Sequence, residues 1–400
     1  MRTTDIQRPV TSLGPVKWVR KNLFNNWYNS LLTIIGFAVI ARFLYALVGW
    51  LISANWDPIT TRPLLYAVGQ YPLEEIWRVG LSVMVVSFLM GLSWATWGNV
   101  IGNFAVLIIG ASLLFAMMPF TVNIPRYLLF LFFITNAIVV VAGYFLAKRT
   151  RIGKARTVLL GWLISLPVIL LLLHGIGMFD GMAIVSTGVW GGMMINILLA
   201  AIGIAASFPI GVLLALGRRS KLPVVKIFCT LFIELVRGVP LVSILFMASI
   251  ILPLFLPGDI RIDRLLRALI GITLFSSAYM AENIRGGLQA IPLGQYDAAK
   301  AIGLNGPLTT FLIVLPQAIR LVIPAIVGQF ISLFKDTTLV VIVGLLDILG
   351  VGKSILAGNP EWVSAQAEVY LFIAAVFWVF TFSMSRSSRK LEKILGVGER

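Results

Sequence analysis

Long apolar runs constrain this sequence more than any other feature. Stretches of about twenty mostly apolar residues, enough to cross a hydrocarbon core of about 30 Å as a helix, recur along the 400 residues. A transmembrane β-barrel would show short segments of alternating hydrophobicity, whereas these runs are continuous. Only 12% of the residues are charged, about half the usual fraction in soluble domains. The sequence therefore predicts an all-α polytopic membrane protein.

Ten spans are predicted from these runs. Their ranges are 31–53, 81–97, 100–118, 128–147, 157–173, 192–217, 239–257, 265–283, 313–345 and 367–385. Only Gly98 and Asn99 separate the second span from the third. An eight-span alternative removes one pair of crossings together and keeps the parity of the rest. The run 313–345 contains Pro316, Pro324 and Gly328, which predicts a bent or two-part helix.

The distribution of basic residues predicts which side each connection faces. With ten spans and the N-terminus inside, 23 of the 32 Lys and Arg residues fall in the tails and inner connections, and seven fall in outer connections. Positive charge concentrates on the cytoplasmic side of membrane proteins, so both termini and the connection 284–312 are predicted to be cytoplasmic. This bias also accounts for the net charge of +16 without any nucleic-acid partner.

The connection 284–312 contains the first part of a motif with fixed spacing. Asp297, Ala298 and Ala299 are followed by Gly303, and then by Ile313, Val314, Leu315 and Pro316. Residues 295–302 can form a short helix with Asp297 in its N-terminal turn, and Gly303 permits the left-handed turn that ends it. A second short helix can follow, which gives an elbow on which a soluble protein can dock. The alternative interpretation is an ordinary amphipathic connecting loop.

The motif resembles the pattern E-A-A-x3-G-x9-I-x-L-P of ABC importer permeases, with Asp297 where Glu is usual. The resemblance, to the polar amino-acid branch of that family (His/Glu/Gln/Arg/opine), covers about half of the chain, residues 190–390. It is also carried by Ala278 to Glu282, Arg285-Gly286-Gly287, Leu315 to Ala318, Lys335-Asp336-Thr337 and Glu234 to Leu241. The stretch Trp18 to Phe24 and the extra spans are similar to the M-type permease subunit of general L-amino-acid importers.

The resemblance implies a domain organisation. We expect a cytoplasmic tail at 1–30, an accessory transmembrane region at 31–180, a permease core at 181–390 and a cytoplasmic tail at 391–400. The core would be a type-I ABC importer transmembrane core of about five spans, preceded by an extension of about four to five spans. Within the core, the connection 284–312 would be the cytoplasmic coupling loop.

The resemblance also implies a function and a set of partners. The chain would be the permease subunit of an ATP-driven importer of polar or general L-amino acids in the bacterial inner membrane. A dimer of ABC ATPase subunits would dock inside, a second homologous permease would pair with it in the membrane lipid, and a periplasmic amino-acid-binding protein would deliver substrate. This chain would bind no cofactor, because ATP and Mg²⁺ would bind to the partner ATPase.

Two copies of the spacing E-x-x-R-G place charges near span ends. They are Glu234 with Arg237, and Glu282 with Arg285. Residues three apart share a helical face, so each Glu can pair with its Arg. Charges near the membrane interior are costly unless they are paired or hydrated, which makes these residues candidates for a translocation path or gate. The alternative is that each pair only secures a helix end.

Lys335 and Asp336 lie inside the long span 313–345. An amino acid carries both a positive and a negative charge, so these two side chains are plausible neighbours of a translocation path. Adjacent helical residues do not share a face, and both need not face one ligand. The alternative is that they mark an irregular turn between two half-helices.

Several other functions are excluded or disfavoured. Gly350 to Ser354 resembles the end of a phosphate-binding P-loop, but its first glycine would fall at Asp347, and no strand precedes it. One His and one Cys supply no transition-metal cluster and, with scattered carboxylates, no catalytic set. An ion-coupled secondary amino-acid transporter is the main alternative; it would show inverted repeats, and no internal symmetry is visible.

Overall fold

A computed structural model of the protein describes residues 14–117, 124–150, 153–177, 182–255, 257 and 262–396. Over these residues the regular structure is helical, and β-structure is confined to the isolated bridges Gly69–Trp190 and Gly192–Asp347. The chain divides into two compact units, one ending at Asn55 and the other beginning at Trp56. The expectation of an all-α membrane fold is confirmed, and the domain boundary expected near residue 180 stays a prediction.

The first unit contains two helices. Helix α1 (Pro15–Leu23) begins with a proline, whose fixed φ suits the first helical position. Helix α2 (Trp27–Ser53) has 27 residues with a mean hydropathy of 2.3. At about 1.5 Å of rise per residue, α2 is long enough to cross a hydrocarbon core. It includes Arg42.

The second unit opens with short helices and then a group of long apolar ones. Its first elements are α3 (Asp57–Thr60), α4 (Pro63–Val68), a 3₁₀ turn at Leu73–Glu75, α5 (Ile76–Trp97), α6 (Asn99–Met117), α7 (Arg126–Arg149) and α8 (Ala155–His174). Helix α5 packs against α6, α7 and α8. The predicted break at Gly98 is confirmed, because α5 ends just before it and α6 starts just after it.

The rest of the second unit contains the permease-like helices. They are α9 (Gly192–Arg218), α10 (Pro223–Arg237), α11 (Leu241–Phe246), a π-helical turn at Met247–Ile251, α12 (Leu252–Phe255), α13 (Arg264–Gln289), α14 (Leu293–Ala301), α15 (Gly306–Leu308), a π-helical turn at Thr309–Val314, α16 (Leu315–Asp336), a 3₁₀ segment at Thr337–Val343, α17 (Ile348–Gly358), a 3₁₀ segment at Pro360–Ala365 and α18 (Gln366–Leu395). Helix α13 is central, because it packs along both α9 and α16.

Fewer helices than the predicted ten are long and apolar enough to span a membrane. Among the described residues there are eight, or up to nine if α10 and the segment Leu241–Phe255 form one broken span. Those two parts are bent by 106° at Gly238 and Pro240. The predicted span 239–257 is therefore the second arm of a broken helix, and the apolar part of α6, Val100–Leu114, falls short of span length.

The predicted interruption of the run 313–345 lies near its end. Helix α16 continues past Pro324 to Asp336, although a proline in a helix interior removes one backbone hydrogen bond. Within this run the geometry changes at Leu315, where the π-helical turn gives way to α16, and at Thr337, where the 3₁₀ segment begins. Lys335 and Asp336 are thus the last two residues of α16.

Candidate coupling and translocation site

The elbow, residues Leu293–Val314, connects α13 to α16. Its first arm is α14, and this arm ends in a Schellman motif: the Leu304 amide donates to Ala299 O at 3.0 Å and the Gly303 amide donates to Lys300 O at 2.9 Å. Gly303 has φ +81°, a left-handed conformation that costs an L-residue about 1–2 kcal/mol. The glycine therefore sets the angle at which the two arms meet.

The first arm starts earlier than the sequence predicts. Helix α14 begins at Leu293, directly after Pro292, instead of at Gln295. Asp297 consequently lies in the second turn, so the expected stabilisation by the helix N-terminus does not apply to it, since that effect is confined to the first turn. Asp297 and Ala298 are exposed, whereas Ala299 is buried.

The second arm is capped and tied to the first. Asn305 Oδ1 accepts a hydrogen bond from the Leu308 amide at 3.0 Å, which starts α15. The chain then runs through the π-helical turn into α16, where Leu315 is buried and Pro316 is exposed. Gln317 Nε2 donates to Gln295 Oε1 at 3.2 Å and so joins the first arm to α16, the helix into which the second arm runs.

The outer side of the first arm carries two exposed apolar side chains. Leu293 is 79% exposed and Ile302 is 74% exposed, and both lie outside the candidate spans. The two side chains are nine residues, or about two and a half helical turns, apart, so they border a wide exposed surface that also carries Asp297 and Ala298.

The inner side of the elbow belongs to a buried apolar cluster. The cluster contains Leu214, Ala215, Cys229, Ile233, Met280, Ala281, Ile284, Leu288, Ile291, Val314, Leu315, Ala318 and Ile326. These residues come from α9, α10, α13, the short connection after α13 (Ile291), the elbow (Val314) and α16. This packing connects the elbow to the ends of α9, α10 and α13.

An ion-pair cluster joins the same ends of α9, α10 and α13. Glu282 forms a two-bond pair with Arg285, one bond being Nε to Oε2 at 2.9 Å. Glu282 also lies 3.4 Å from Arg218 Nη1 and 3.7 Å from Arg237 Nη1. Arg218 in turn pairs with Glu234 at 2.7 Å. Three arginines and two glutamates thus connect three helices through one central carboxylate.

Of the two pairs expected within the E-x-x-R-G motifs, one forms and the other does not. Glu282 and Arg285 pair along α13, as their spacing predicts. Glu234 pairs instead with Arg218 of α9, and Arg237 approaches Glu282 and lies over the Tyr279 ring at 5.5 Å. Arg218 was missed by the sequence analysis, which counted it only as one of the basic residues after a span.

Lys335 and Asp336 are the last two residues of α16, and a buried polar network begins directly after them. Lys335 is exposed and Asp336 is half-buried, and neither forms an ion pair within the part of the chain that the structure describes. The next residue, Thr337, is fully buried, and its hydroxyl accepts a hydrogen bond from Asn196 Nδ2 at 2.9 Å. Asn196 also donates to Asp347 Oδ2 at 3.2 Å. The network fixes the end of α16 against α9 and α17.

Asp347 is the acidic member of this network. Its Oδ1 accepts from the Gly350 amide at 2.9 Å and caps α17. Burial raises the pKa of the Asp347 carboxyl, and the hydrogen bonds from Gly350 and Asn196 oppose that rise. The resemblance of Gly350 to Ser354 to a P-loop has a structural explanation, because these residues lie within the capped helix α17.

Comparison with protein families places the matching region in the second unit. The family described as "Binding-protein-dependent transport system inner membrane component" matches residues 207–395. This region includes the elbow, every member of the ion-pair cluster and the end of α16.

Two relatives match nearly the whole chain. The "Inner membrane amino-acid ABC transporter permease protein YhdY" of Escherichia coli (strain K12) is 36% identical, over 95% of this chain and 93% of the relative. The "Glutamate/glutamine/aspartate/asparagine transport system permease protein BztC" of Rhodobacter capsulatus is 34% identical, over 97% of this chain and 95% of the relative. The similarity therefore extends through the accessory helices.

A solved structure is similar to half of the chain. It is described as "Crystal structure of an amino acid ABC transporter with histidines", and it covers 50% of this chain and 91% of its own. The sequence identity is 27% and the TM-score is 0.45.

Proposed function

The chain belongs to the family of amino-acid ABC transporter permeases, and on that premise we propose that a separate ATPase drives it by docking on the elbow. As a permease it is a multi-pass transport subunit of the inner membrane, and its role is translocation of amino acids rather than covalent chemistry. In the proposed cycle, ATP and Mg²⁺ bind to the partner ATPase, and closure of an ATPase dimer displaces the elbow.

The exposed first arm of the elbow is the observation that carries this proposal. Leu293 and Ile302 are 79% and 74% exposed, while Ala299 between them is 3% exposed. The helix therefore exposes an apolar side chain at each of its two ends and is anchored through Ala299. Asp297 and Ala298 lie on the exposed side, where an ATPase cleft would contact them.

The ion-pair cluster is proposed as the gate that the elbow moves. Leu288 and Ile291 of the buried cluster lie between the elbow and Glu282 along the chain, and Arg219 Nη1 donates to Leu288 O at 3.2 Å. Movement of the elbow would shift the end of α13 and pull Glu282 away from Arg218 and Arg237. Since partly exposed ion pairs are worth only about 1 kcal/mol each, ATP binding supplies ample energy to break them.

Lys335 and Asp336 are proposed to line the translocation path. Both are charged, they close a membrane-spanning helix, and a charge at that depth requires a partner or water. A polar L-amino acid supplies an ammonium and a carboxylate that can meet them. Adjacent residues point in different directions, so we expect one of the two to contact substrate and the other to face a second permease.

The remaining partners are proposed from the family and its relatives. We propose that a second, homologous permease pairs with this chain and that a periplasmic amino-acid-binding protein delivers the substrate. The named substrates of the Rhodobacter relative, glutamate, glutamine, aspartate and asparagine, are the first to test. The concentration of basic residues supports a cytoplasmic location of both termini and of the elbow.

Replacement of Gly303 tests the docking of the ATPase. Gly303→Arg places a side chain where φ is +81° and distorts the elbow, so we expect the co-purified ATPase to fall to roughly a tenth of the wild-type amount. Gly358→Arg is the matched control, because a side chain there meets nothing within 4 Å and φ is ordinary. Undiminished co-purification and uptake in the Gly303 variant would refute the docking role.

A further inference from the structure

A groove lies between the accessory helices α5 and α6 and the C-terminal helix α18. It has a volume of about 430 Å³, and it is open at the protein surface. Trp94 of α5, Asn103 and Val106 of α6, and Phe382, Arg386 and Lys390 of α18 are among its lining residues. The Ser387 hydroxyl donates to Val100 O at 3.0 Å, which holds α18 against α6.

One end of the groove is positively charged. Phe382, Arg386 and Lys390 are spaced by four residues, so they form one stripe along α18 that faces α6. Lys390 Nζ donates to Asn103 Oδ1 at 2.8 Å, and this bond directs the ammonium into the groove. Near this end, Lys148 of α7 lies 4.7 Å from the Tyr144 ring, which itself contacts the Trp94 ring at 4.7 Å.

The other end of the groove is apolar and open to lipid. Val106 is 56% exposed and Phe382 is 40% exposed; Val106 lies in the apolar stretch of α6, and Phe382 lies on the candidate span Pro360–Leu395. From Phe382 to Lys390 the stripe rises by about 12 Å along α18, at about 1.5 Å per residue. Trp94 lies near the end of α5, where tryptophans mark the boundary between hydrocarbon and headgroups.

We propose that this groove binds an anionic phospholipid, with the phosphate between Arg386 and Lys390 and an acyl chain along Val106 and Phe382. The change from cationic to apolar lining over about 12 Å matches the step from headgroup phosphate to acyl chain. Basic pockets between membrane helices bind such headgroups. The lipid would link the accessory helices to the core, and this gives the N-terminal extension a role.

Native mass spectrometry of the assembled importer tests the proposal, with added phosphatidylglycerol as the probe and phosphatidylcholine as the neutral comparison. We expect the wild-type complex to prefer phosphatidylglycerol by about tenfold. The double variant Arg386→Gln, Lys390→Gln should lose that preference. Val106→Trp fills the apolar end without altering charge, and it should weaken the binding of both lipids.

The matched control is the double variant Arg389→Gln, Lys393→Gln. It removes the same charge from the same helix at the same four-residue spacing, but neither residue lines the groove. We expect this control to keep the wild-type preference within about twofold. Equal losses in the two double variants would show a general surface-charge effect and overturn the site, as would a wild-type complex without any lipid preference. Intact assembly of each variant complex is checked in the same spectra.

Discussion

Different residues of the elbow determine its backbone conformation and its exposed surface. Gly303 sets the backbone turn, because its left-handed conformation closes the Schellman motif. Leu293 contributes only surface, because it is exposed and begins α14. Substitutions at these two positions therefore distinguish an elbow of the wrong shape from an elbow with the wrong chemistry.

Leu293→Asp should weaken docking without disturbing the elbow. An acidic residue at the first position of a helix favours the helix, so loss of α14 cannot explain the effect. Loss of one exposed apolar contact at the centre of an interface should lower affinity for the ATPase roughly tenfold, or about 1.4 kcal/mol. The measurement is the affinity of the purified permease pair for the ATPase subunit.

Val363→Asp provides the control for this substitution. Val363 is 61% exposed in the 3₁₀ segment before α18, and it lies outside the elbow. We expect its variant to bind the ATPase like the wild type. If the Leu293→Asp variant binds the ATPase as tightly as the wild type does, the ATPase contacts some other surface.

At the scale of elements, Arg218 holds the ends of three helices together. It pairs with Glu234 of α10 and contacts Glu282 of α13 from the end of α9. Its side chain is 24% exposed, so each pair contributes only about 0.2–1 kcal/mol to stability. Its importance lies in the conformation that it favours rather than in the folding of the chain.

Arg218→Gln should loosen the gate and leave the fold intact. We expect the ATPase activity of the reconstituted importer without substrate to rise about fivefold, within the usual range of coupling between sites. The apparent unfolding temperature of the complex should change little. Lys221→Gln removes the same charge three residues further along, in an exposed position, and should leave both quantities at wild-type values. An unchanged basal ATPase activity in the Arg218 variant would argue against a gate.

The buried network at the end of α16 has a structural role with a measurable cost. Asn196 is fully buried and contacts both Thr337 and Asp347. Asn196→Ala leaves these polar groups without that partner, so we expect a loss of about 1–3 kcal/mol in the free energy of unfolding. Thermal unfolding of the purified complex measures it. Gln366→Ala removes an exposed hydrogen bond to Tyr370 and should shift stability by less than about 0.5 kcal/mol.

The elements that the sequence predicts well are those with local signals. Apolar periodicity and length locate the long helices, and Gly303 identifies the end of α14 because a left-handed turn favours glycine. The start of α14 has no such signal, because Pro292 precedes it and no Ser, Thr, Asp or Asn caps it there.

The contacts that the sequence does not predict are tertiary. Arg218 and Glu282 are 64 residues apart, and spacing rules describe only neighbours on one helix. Because these contacts join distant parts of the chain, spacing rules also fail to predict the partner of Glu234 and the groove between α6 and α18. The 106° bend after α10 has a local signal in Gly238 and Pro240, but its angle depends on packing.

At the scale of the whole molecule, the account rests on an elbow that faces the cytoplasm. A side chain introduced at Gly294 in α14 or at Gly358 at the end of α17 would lie in open space, since an added Cβ meets nothing within 4 Å at either position. The charge distribution predicts that the two positions lie on opposite sides of the membrane. Cys229 is buried and gives little background in a thiol-labelling experiment.

Cysteine labelling in intact cells tests this orientation. A membrane-impermeant maleimide should label a Gly358→Cys variant in intact spheroplasts, and it should label Gly294→Cys only after permeabilisation. The wild-type chain with its buried Cys229 is the control for background. Labelling of Gly294→Cys in intact spheroplasts would reverse the proposed orientation and separate the elbow from any cytoplasmic ATPase.

Uptake of a labelled L-amino acid into proteoliposomes tests the central claim most directly. The vesicles contain this chain with its partner permease and ATPase, and binding protein is added outside. We predict uptake that requires both internal ATP and the binding protein, and that the Gly303→Arg variant abolishes while the Gly358→Arg variant does not. Uptake driven by an ion gradient without ATP, or uptake that survives in the Gly303 variant, would contradict the account.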